Sequence, residues 1–246
     1  MTTDEYLAFA HLLADEAGNV LRRHFRKPTA AEAKADGSPV TIADREAEAA
    51  MRTLIHGRFP DHGIFGEEWA RENTSAPLQW VLDPIDGTRA FMAGYPTFTT
   101  LIALCENGVP ILGIIDQPHL KERWASGGRK RTMHNAQRTT CTIATTSTPY
   151  FTTAQAAAFA RASAGHTVVQ GGDAYAYAML AEGHLHAVID AGMKPYDFCA
   201  LAPVIQHAGA IITDWQGQPL RIDSSGEVLA ACDKALHTRL LHTLMH

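Results

Sequence analysis

The chain has 246 residues, 46% of them hydrophobic and 19% charged, and 21 Lys and Arg against 26 Asp and Glu leave a formal net charge of -5. That composition belongs to a globular protein of one large domain or two modest ones, and the missing basic excess argues against a dedicated nucleic-acid binder while leaving room for an acidic cleft that holds cations. Met1 to Phe25 carries Asp4, Glu5, Asp15 and Glu16, which speaks against a secretory signal, and no apolar run is long enough to read as a membrane span.

In chain order, apolar residues at helical spacing predict an amphipathic helix over residues 3–26. Lys27 to Ser38 is a polar connection with room for a short strand. A second helix is expected from about Ile42 to Phe59, with Thr41 as N-cap and Asp44 three residues on, a variant of the capping box. Ile64-Phe65 starts a strand that stops at Gly66-Glu67-Glu68. Trp80 to Leu82 is a short apolar run ending at Asp83-Pro84-Ile85-Asp86-Gly87-Thr88, after which Thr88 to Met92 reads as a short helix. Thr97 to Cys105 and Val109 to Ile115 form a strand pair around Asn107-Gly108, a strong hairpin signal.

Glu122 to Trp124 reads as a further strand, and Arg129-Lys130-Arg131 as a solvated basic loop. Beyond it come a strand at Cys141 to Thr145, a helix at Ala154 to Ala162, a strand at Thr167 to Gln170, a helix at Asp173 to Glu182 and a strand at His186 to Asp190. A helix from about Asp197 to His207 follows. Ala210 to Asp214 is expected to pair across Trp215-Gln216-Gly217-Gln218, and a last helix runs from Lys234 to Met245. The pattern is mixed αβ in layers. It reads as a single domain over 1–246, with a soft sub-boundary near 129–140 between a metal- and phosphate-binding half (1–135) and a substrate-completing half (136–246). Cys105, Cys141, Cys199 and Cys232 form no CxxC and read as reduced thiols of a cytoplasmic protein. The 13 histidines show no zinc spacing.

Three acidic segments stand at the ends of apolar runs: Glu67-Glu68, Asp83 with Asp86, and Asp197. Carboxylates without His or Cys partners suit a hard cation such as Mg²⁺. Pro84 fixes the backbone between Asp83 and Asp86, and the Ile85 carbonyl is free to join them. Gly87 lets the main chain approach a ligand, and the helix opening at Thr88 favours an anion such as phosphate. Metal ligands beside a helix start suit metal-assisted phosphate chemistry. Taken singly, Glu67-Glu68 also reads as an exposed acidic turn, Asp83 to Thr88 as a tight turn, and Asp197 as a helix N-cap.

Gly66-Glu67-Glu68, the run Trp80 to Thr88, and Tyr196-Asp197 followed by Ala208-Gly209-Ala210 resemble the inositol monophosphatase family of Mg²⁺-dependent phosphatases. Tyr196 stands where many members have Trp, and Arg89 where many have Thr or Lys. The segments Gly87 to Phe91, Pro96-Thr97-Phe98, Gly172 to Tyr177 and Lys194 to Asp197 look most like the histidinol-phosphate phosphatase branch. The resemblance implies a layered α/β/α/β/α sandwich of the inositol monophosphatase and fructose-1,6-bisphosphatase type, and a homodimer. It also implies two to three Mg²⁺: one on Glu67, Asp83 and the Ile85 carbonyl, one on Asp83, Asp86 and Asp197, and a third near Glu67.

The implied reaction is direct attack of a metal-bound water on phosphorus. Glu67 and Thr88 orient the water, and Asp44 sets the Thr88 hydroxyl. The Gly87 and Thr88 N–H groups hold phosphate, and the leaving alcohol lies near Asp86 and Asp197. The substrate expected is L-histidinol phosphate, cleaved to L-histidinol. An inositol 1-phosphate or sugar-phosphate phosphatase is the alternative, and an inactive binding or regulatory relative the remote one. Asp173 and Asp190 are candidate partners for the histidinol ammonium, though each also reads as a helix cap or strand end. Arg89 could touch phosphate, a site acid or a dimer partner. Neither nucleic acid nor membrane is expected as a partner.

Overall fold

The computed structural model describes residues 2–27, 31–33, 39–127 and 141–246. The basic run Arg129 to Arg131 and the sub-boundary near 129–140 lie outside them. The first half runs α1 (Thr3–His24), β1 (Ala31–Ala33), β2 (Pro39–Thr41), α2 (Ile42–Arg58), β3 (Gly63–Gly66), β4 (Leu78–Asp86), α3 (Thr88–Ala93), β5 (Thr99–Glu106), β6 (Val109–Gln117) and β7 (Glu122–Ala125). The second runs β8 (Thr142–Thr145), α4 (Thr153–Ser163), β9 (Thr167–Gln170), α5 (Asp173–Ala181), β10 (Ala187–Asp190), α6 (Pro195–Phe198), α7 (Leu201–His207), β11 (Ile211–Thr213), β12 (Val228–Ala231) and α8 (Lys234–Met245). β1 and β2 form a small antiparallel ribbon ahead of α2.

Two five-stranded sheets organise the chain, in the orders β3-β4-β5-β6-β7 and β11-β12-β10-β8-β9. Both mix parallel and antiparallel pairs. Because strand side chains alternate between faces, each sheet divides its apolar residues between two layers. In the first sheet Trp80, Leu82, Ile102 and Ile114 pack against α1 and α2, whereas Val81, Leu101, Ala103 and Ile115 face a middle helical layer. That layer is built from Tyr177 on α5, Phe198 on α6 and Leu201 and Ile205 on α7, and it also receives Ala144, Val188 and Ala230 from the second sheet. The opposite face of the second sheet, with Ile143, Ile189 and Leu229, covers Phe159 of α4 and Leu240 of α8. The result is the five-layer α/β/α/β/α arrangement expected from the sequence.

Three local expectations are corrected. The run at Trp80 does not stop at Asp83. β4 continues to Asp86 through a register shift between Asp83 and Asp86. Pro84 has no N–H for the ladder, and its carbonyl accepts the Thr100 hydroxyl instead, at 2.8 Å. The single helix expected from Asp197 to His207 is two, α6 and α7, starting earlier at Pro195. Pro203 cannot donate to the Cys199 carbonyl four residues back, which interrupts the helix there. Finally, the turn at Trp215 to Gly217 forms, with Asp214 N–H donating to Gln218 O at 2.9 Å. The strand it was expected to lead into is not the partner: β11 pairs antiparallel with β12, ten residues further on.

Candidate active site

The acidic site grows from the place where the first sheet loses a strand. β3 runs parallel to β4 until Gly66 meets Leu82, and the next link is Glu67 N–H to Leu82 O at 3.1 Å. Beyond it the edge of β4 is open, and there the Asp83–Asp86 bulge presents its carboxylates. By the strand period Asp83 follows Val81 onto the face toward the middle layer, where α6 carries Asp197. One carboxylate oxygen each from Asp83, Asp86 and Asp197 lies within 4.8 Å of the others. Asp197 is the third residue of α6, not its N-cap, and its Oδ2 accepts the Lys194 backbone N–H at 2.7 Å.

Burial and mutual repulsion act together on these acids. Asp83 is held well above the usual carboxylate range by burial, then by Glu67, Asp86 and Asp197. Asp86 is likewise raised, by burial and by Asp173 and Asp197; the Ala174 N–H, 2.6 Å from its Oδ2, offsets part of this. Asp197 is pushed up to about 7, chiefly by burial. An all-oxygen donor set whose acids resist ionising together fits a divalent hard cation. A further sign is Asp83 Oδ1, which is buried and has no hydrogen-bond partner among the described residues. A cation between Asp83, Asp86 and Asp197 would satisfy that oxygen and relieve the repulsion.

At the other end of the bulge, Gly87 and Thr88 begin α3. Gly87 has φ +83°, a backbone conformation that calls for glycine, and a Cβ there would stand 2.9 Å from Asp173 Oδ2. The Thr88 hydroxyl is 3.0 Å from Ile85 O and 3.4 Å from Asp44 Oδ1. Asp44 is fully buried, and its Oδ2 takes the Thr41 N–H at 2.7 Å and the Thr41 hydroxyl at 2.6 Å. Capping the helix and touching Thr88 are therefore done by different oxygens of one carboxylate.

Two adjoining cavities of about 320 and 360 Å³ share Glu67, Asp86, Arg89, Tyr150, Asp173 and Asp197, and form one cleft. Asp83, Ile85, Gly87 and Thr88 line its first part; Asp190, Met193, Lys194 and Tyr196 line its second. Asp44 stands behind Thr88. Arg89 reaches across the cleft: its Nη1 donates to the Tyr150 hydroxyl, and the guanidinium lies 5.3 Å from the Tyr150 ring centre. Asp190 is committed to the protein. Its Oδ1 accepts the Thr145 hydroxyl at 3.0 Å and the Thr146 N–H at 2.7 Å; its Oδ2 accepts the Tyr177 hydroxyl at 3.0 Å and the Thr146 hydroxyl at 3.3 Å. The Asp173 side chain accepts no hydrogen bond among the described residues; burial and Asp190 raise it to about 6, against the pull of Arg89.

Sequence reasoning missed Tyr150, Thr145, Thr146 and Tyr177, which carry no spacing signal and meet the site only through the fold. It also missed Glu48 and Arg52, buried charges on α2 that hold the Glu67 segment. Their signal was available: two charges on the otherwise apolar face of an amphipathic helix.

The sequence matches the inositol monophosphatase family profile over residues 2–246. It is 44% identical over 260 residues to the bifunctional phosphatase IMPL2, chloroplastic, of Arabidopsis thaliana, covering 98% of this chain and 75% of that protein. It is 33% identical over 253 residues to a histidinol-phosphatase of Chlorobaculum parvum, covering 98% and 96%. A solved structure of an inositol monophosphatase from Zymomonas mobilis superposes with a TM-score of 0.88 at 41% identity, covering all of both chains. With an acidic cluster suited to a cation at the mouth of a layered sandwich, the chain belongs to the inositol monophosphatase family of metal-dependent phosphatases and is a phosphoric monoester hydrolase.

Proposed function

We propose that this enzyme hydrolyses L-histidinol phosphate to L-histidinol; Mg²⁺ would be held by Asp83, Asp86 and Asp197 and by Glu67, Asp83 and the Ile85 carbonyl. The four carboxylates and a phosphate monoester of charge about -2 repel one another, and two to three divalent cations would balance them. When bound, Mg²⁺ supplies positive charge to the phosphate oxygens and lowers the pKa of water. The chain's own groups do the rest. Thr88, its hydroxyl proton turned to Ile85 O or Asp44, offers a lone pair to the attacking water, and Glu67 takes the water's proton. The water oxygen bonds to phosphorus as the ester P–O bond breaks, and the leaving alkoxide is protonated by a water beside Asp197. The Gly87 and Thr88 N–H groups receive phosphate oxygens.

The observation that carries the substrate is Asp173. Its carboxylate lies on the cleft wall next to the metal-binding acids, without a protein hydrogen bond among the described residues. The ammonium of histidinol phosphate is two carbons from the ester oxygen, so it too stays close to the phosphate; inositol carries no charge there. Asp190, with both oxygens engaged, positions Thr146 on the cleft wall and ties it to the buried Tyr177 hydroxyl. The names of several relatives support the same substrate. A single domain, a cytoplasmic location, supported by four free thiols, and a homodimer complete the reading. Among the described residues no helix is long and apolar enough to cross a membrane.

The test compares histidinol phosphate with inositol 1-phosphate at saturating Mg²⁺, in wild type and Asp173→Asn. Wild type should prefer histidinol phosphate at least about tenfold in kcat/KM, equivalent to ~1.4 kcal/mol, and the substitution should erode that preference. Equal or faster hydrolysis of inositol 1-phosphate by wild type would overturn the substrate and favour an inositol phosphatase.

A further inference from the structure

Helix α2 carries a second buried acid one turn beyond Asp44. Glu48 is fully buried and pairs with Arg52, whose Nη2 lies 2.8 Å from Glu48 Oε1. The carboxylate also faces the chain around Glu67: Oε2 accepts the Glu68 N–H at 2.8 Å, and Oε1 the Trp69 N–H at 3.3 Å. A Cβ on Gly66 would fall 1.8 Å from Glu48 Oε1, so only glycine lets the strand come this close. Arg52 extends the grip, donating to Trp69 O at 3.3 Å, Ala70 O at 3.2 Å and Glu72 Oε1 at 2.7 Å. The residues that follow Glu67 are thus tied to α2, and Gly66 before it packs against the same carboxylate.

Stability is a weak account of this arrangement. A buried ion pair is often no better for stability than an apolar pair of the same volume. What a carboxylate does here, and an apolar side chain cannot, is accept two successive backbone N–H groups just after β3 has left its ladder. Asp44 and Glu48, four residues apart, share one face of α2. One helix therefore reaches both the Thr88 hydroxyl and the Glu67 segment.

We propose that Glu48, fixed by Arg52, is a positioning residue for Glu67: it sets the backbone of residues 66–69 so that the Glu67 carboxylate meets Asp83 at the metal site, and it thereby tunes cation affinity without being a ligand. The proposal rests on Glu67 being a metal ligand.

The experiment measures Mg²⁺ binding to chelator-stripped full-length protein by titration calorimetry, with thermal unfolding recorded for each variant. Glu48→Gln removes one acceptor and the charge. The double variant Glu48→Leu/Arg52→Met replaces the ion pair by an apolar one and so separates stability from positioning. Glu67→Gln is the control. Both Glu48 variants should fold and bind Mg²⁺ about 10- to 100-fold more weakly, as when partners that orient ligands are lost elsewhere. KM for substrate at saturating Mg²⁺ should change little. Wild-type affinity in a folded Glu48 variant, with Glu67→Gln weakened, would overturn the positioning role alone. Wild-type affinity in Glu67→Gln would overturn the ligand reading and this proposal with it. Failure of both Glu48 variants to fold would assign the pair to stability and equally overturn the proposal.

Discussion

Thr88 shows how one hydroxyl can be made directional. Its oxygen lies 3.0 Å from Ile85 O and 3.4 Å from Asp44 Oδ1, both acceptors, so the proton is drawn toward them and a lone pair is left for the cleft. Asp44 can act this way because Thr41 already engages its other oxygen. Thr88→Ala should therefore lower kcat by about 10²-fold or more, the range for losing a positioned acid–base partner, while KM changes less because the backbone N–H groups remain. A variant with a normal kcat and a raised KM would make Thr88 a phosphate ligand only. Asp173 and Asp190 make the same point by contrast. They look alike in sequence, yet one accepts four hydrogen bonds and the other none among the described residues.

Among the elements, α2 and β4 bring the site together. α2 starts with a complete capping box, in which the Thr41 side chain accepts the Ala43 N–H at 3.1 Å and Asp44 reaches back to Thr41 N–H. Thr41→Ala removes one side of the box and one of the two contacts that fix Asp44, the hydroxyl at 2.6 Å, leaving the backbone N–H. A cap of this kind contributes about 1 kcal/mol, which in a chain of this size is about 2–4 °C in Tm. Activity should fall alongside Tm, since Asp44 is released from Thr41 Oγ1. Thermal unfolding and phosphate release on the same variant check both; a lower Tm with unchanged kcat would uncouple the cap from the site. β4 contributes by its irregularity: the bulge spaces Asp83 and Asp86 toward one site, which a regular strand would not do, because residues three apart lie on opposite faces.

At the scale of the whole molecule, the cleft concentrates acids that the fold holds against their charge. Asp83 and Asp86 are raised well above the ordinary range, and Asp197 to about 7. The native state therefore binds more protons than the unfolded chain, so its stability falls as pH rises through these values. His11, His62 and His237, lowered by burial, act in the opposite sense, but below about pH 6.5, where the unfolded imidazoles charge. Above about pH 6.5, where the imidazoles cease to contribute, and up through the raised carboxylate range, about 7 for Asp197, the carboxylates dominate. Metal-stripped protein should lose Tm across that window, and saturating Mg²⁺ should remove or reverse the trend, because the cation binds the deprotonated acids. A Tm that rises with pH in the presence of chelator would show that the acids are not held protonated by the fold.

The sequence by itself determined what local physics controls. Periodicity placed α1, Thr41-x-x-Asp44 placed the start of α2, and Asn107-Gly108 placed the β5–β6 turn. It also determined the acidic motifs, because Pro84 and Gly87 constrain their own neighbours. It did not determine the strand that pairs with β11, since competing partners there lie ten or more residues away in the chain; the break between α6 and α7, by contrast, has a local cause in Pro203. Nor did it distinguish Asp173 from Asp190, or reveal that Glu48, Arg52 and Tyr150 serve the same cleft. Burial and hydrogen-bond partners decide those roles, and both are set by which layers face each other. Its place on the apolar face of α2 marks Glu48 as buried, but what its carboxylate holds is decided only when α2 lies against β3 and Gly66 leaves room for it.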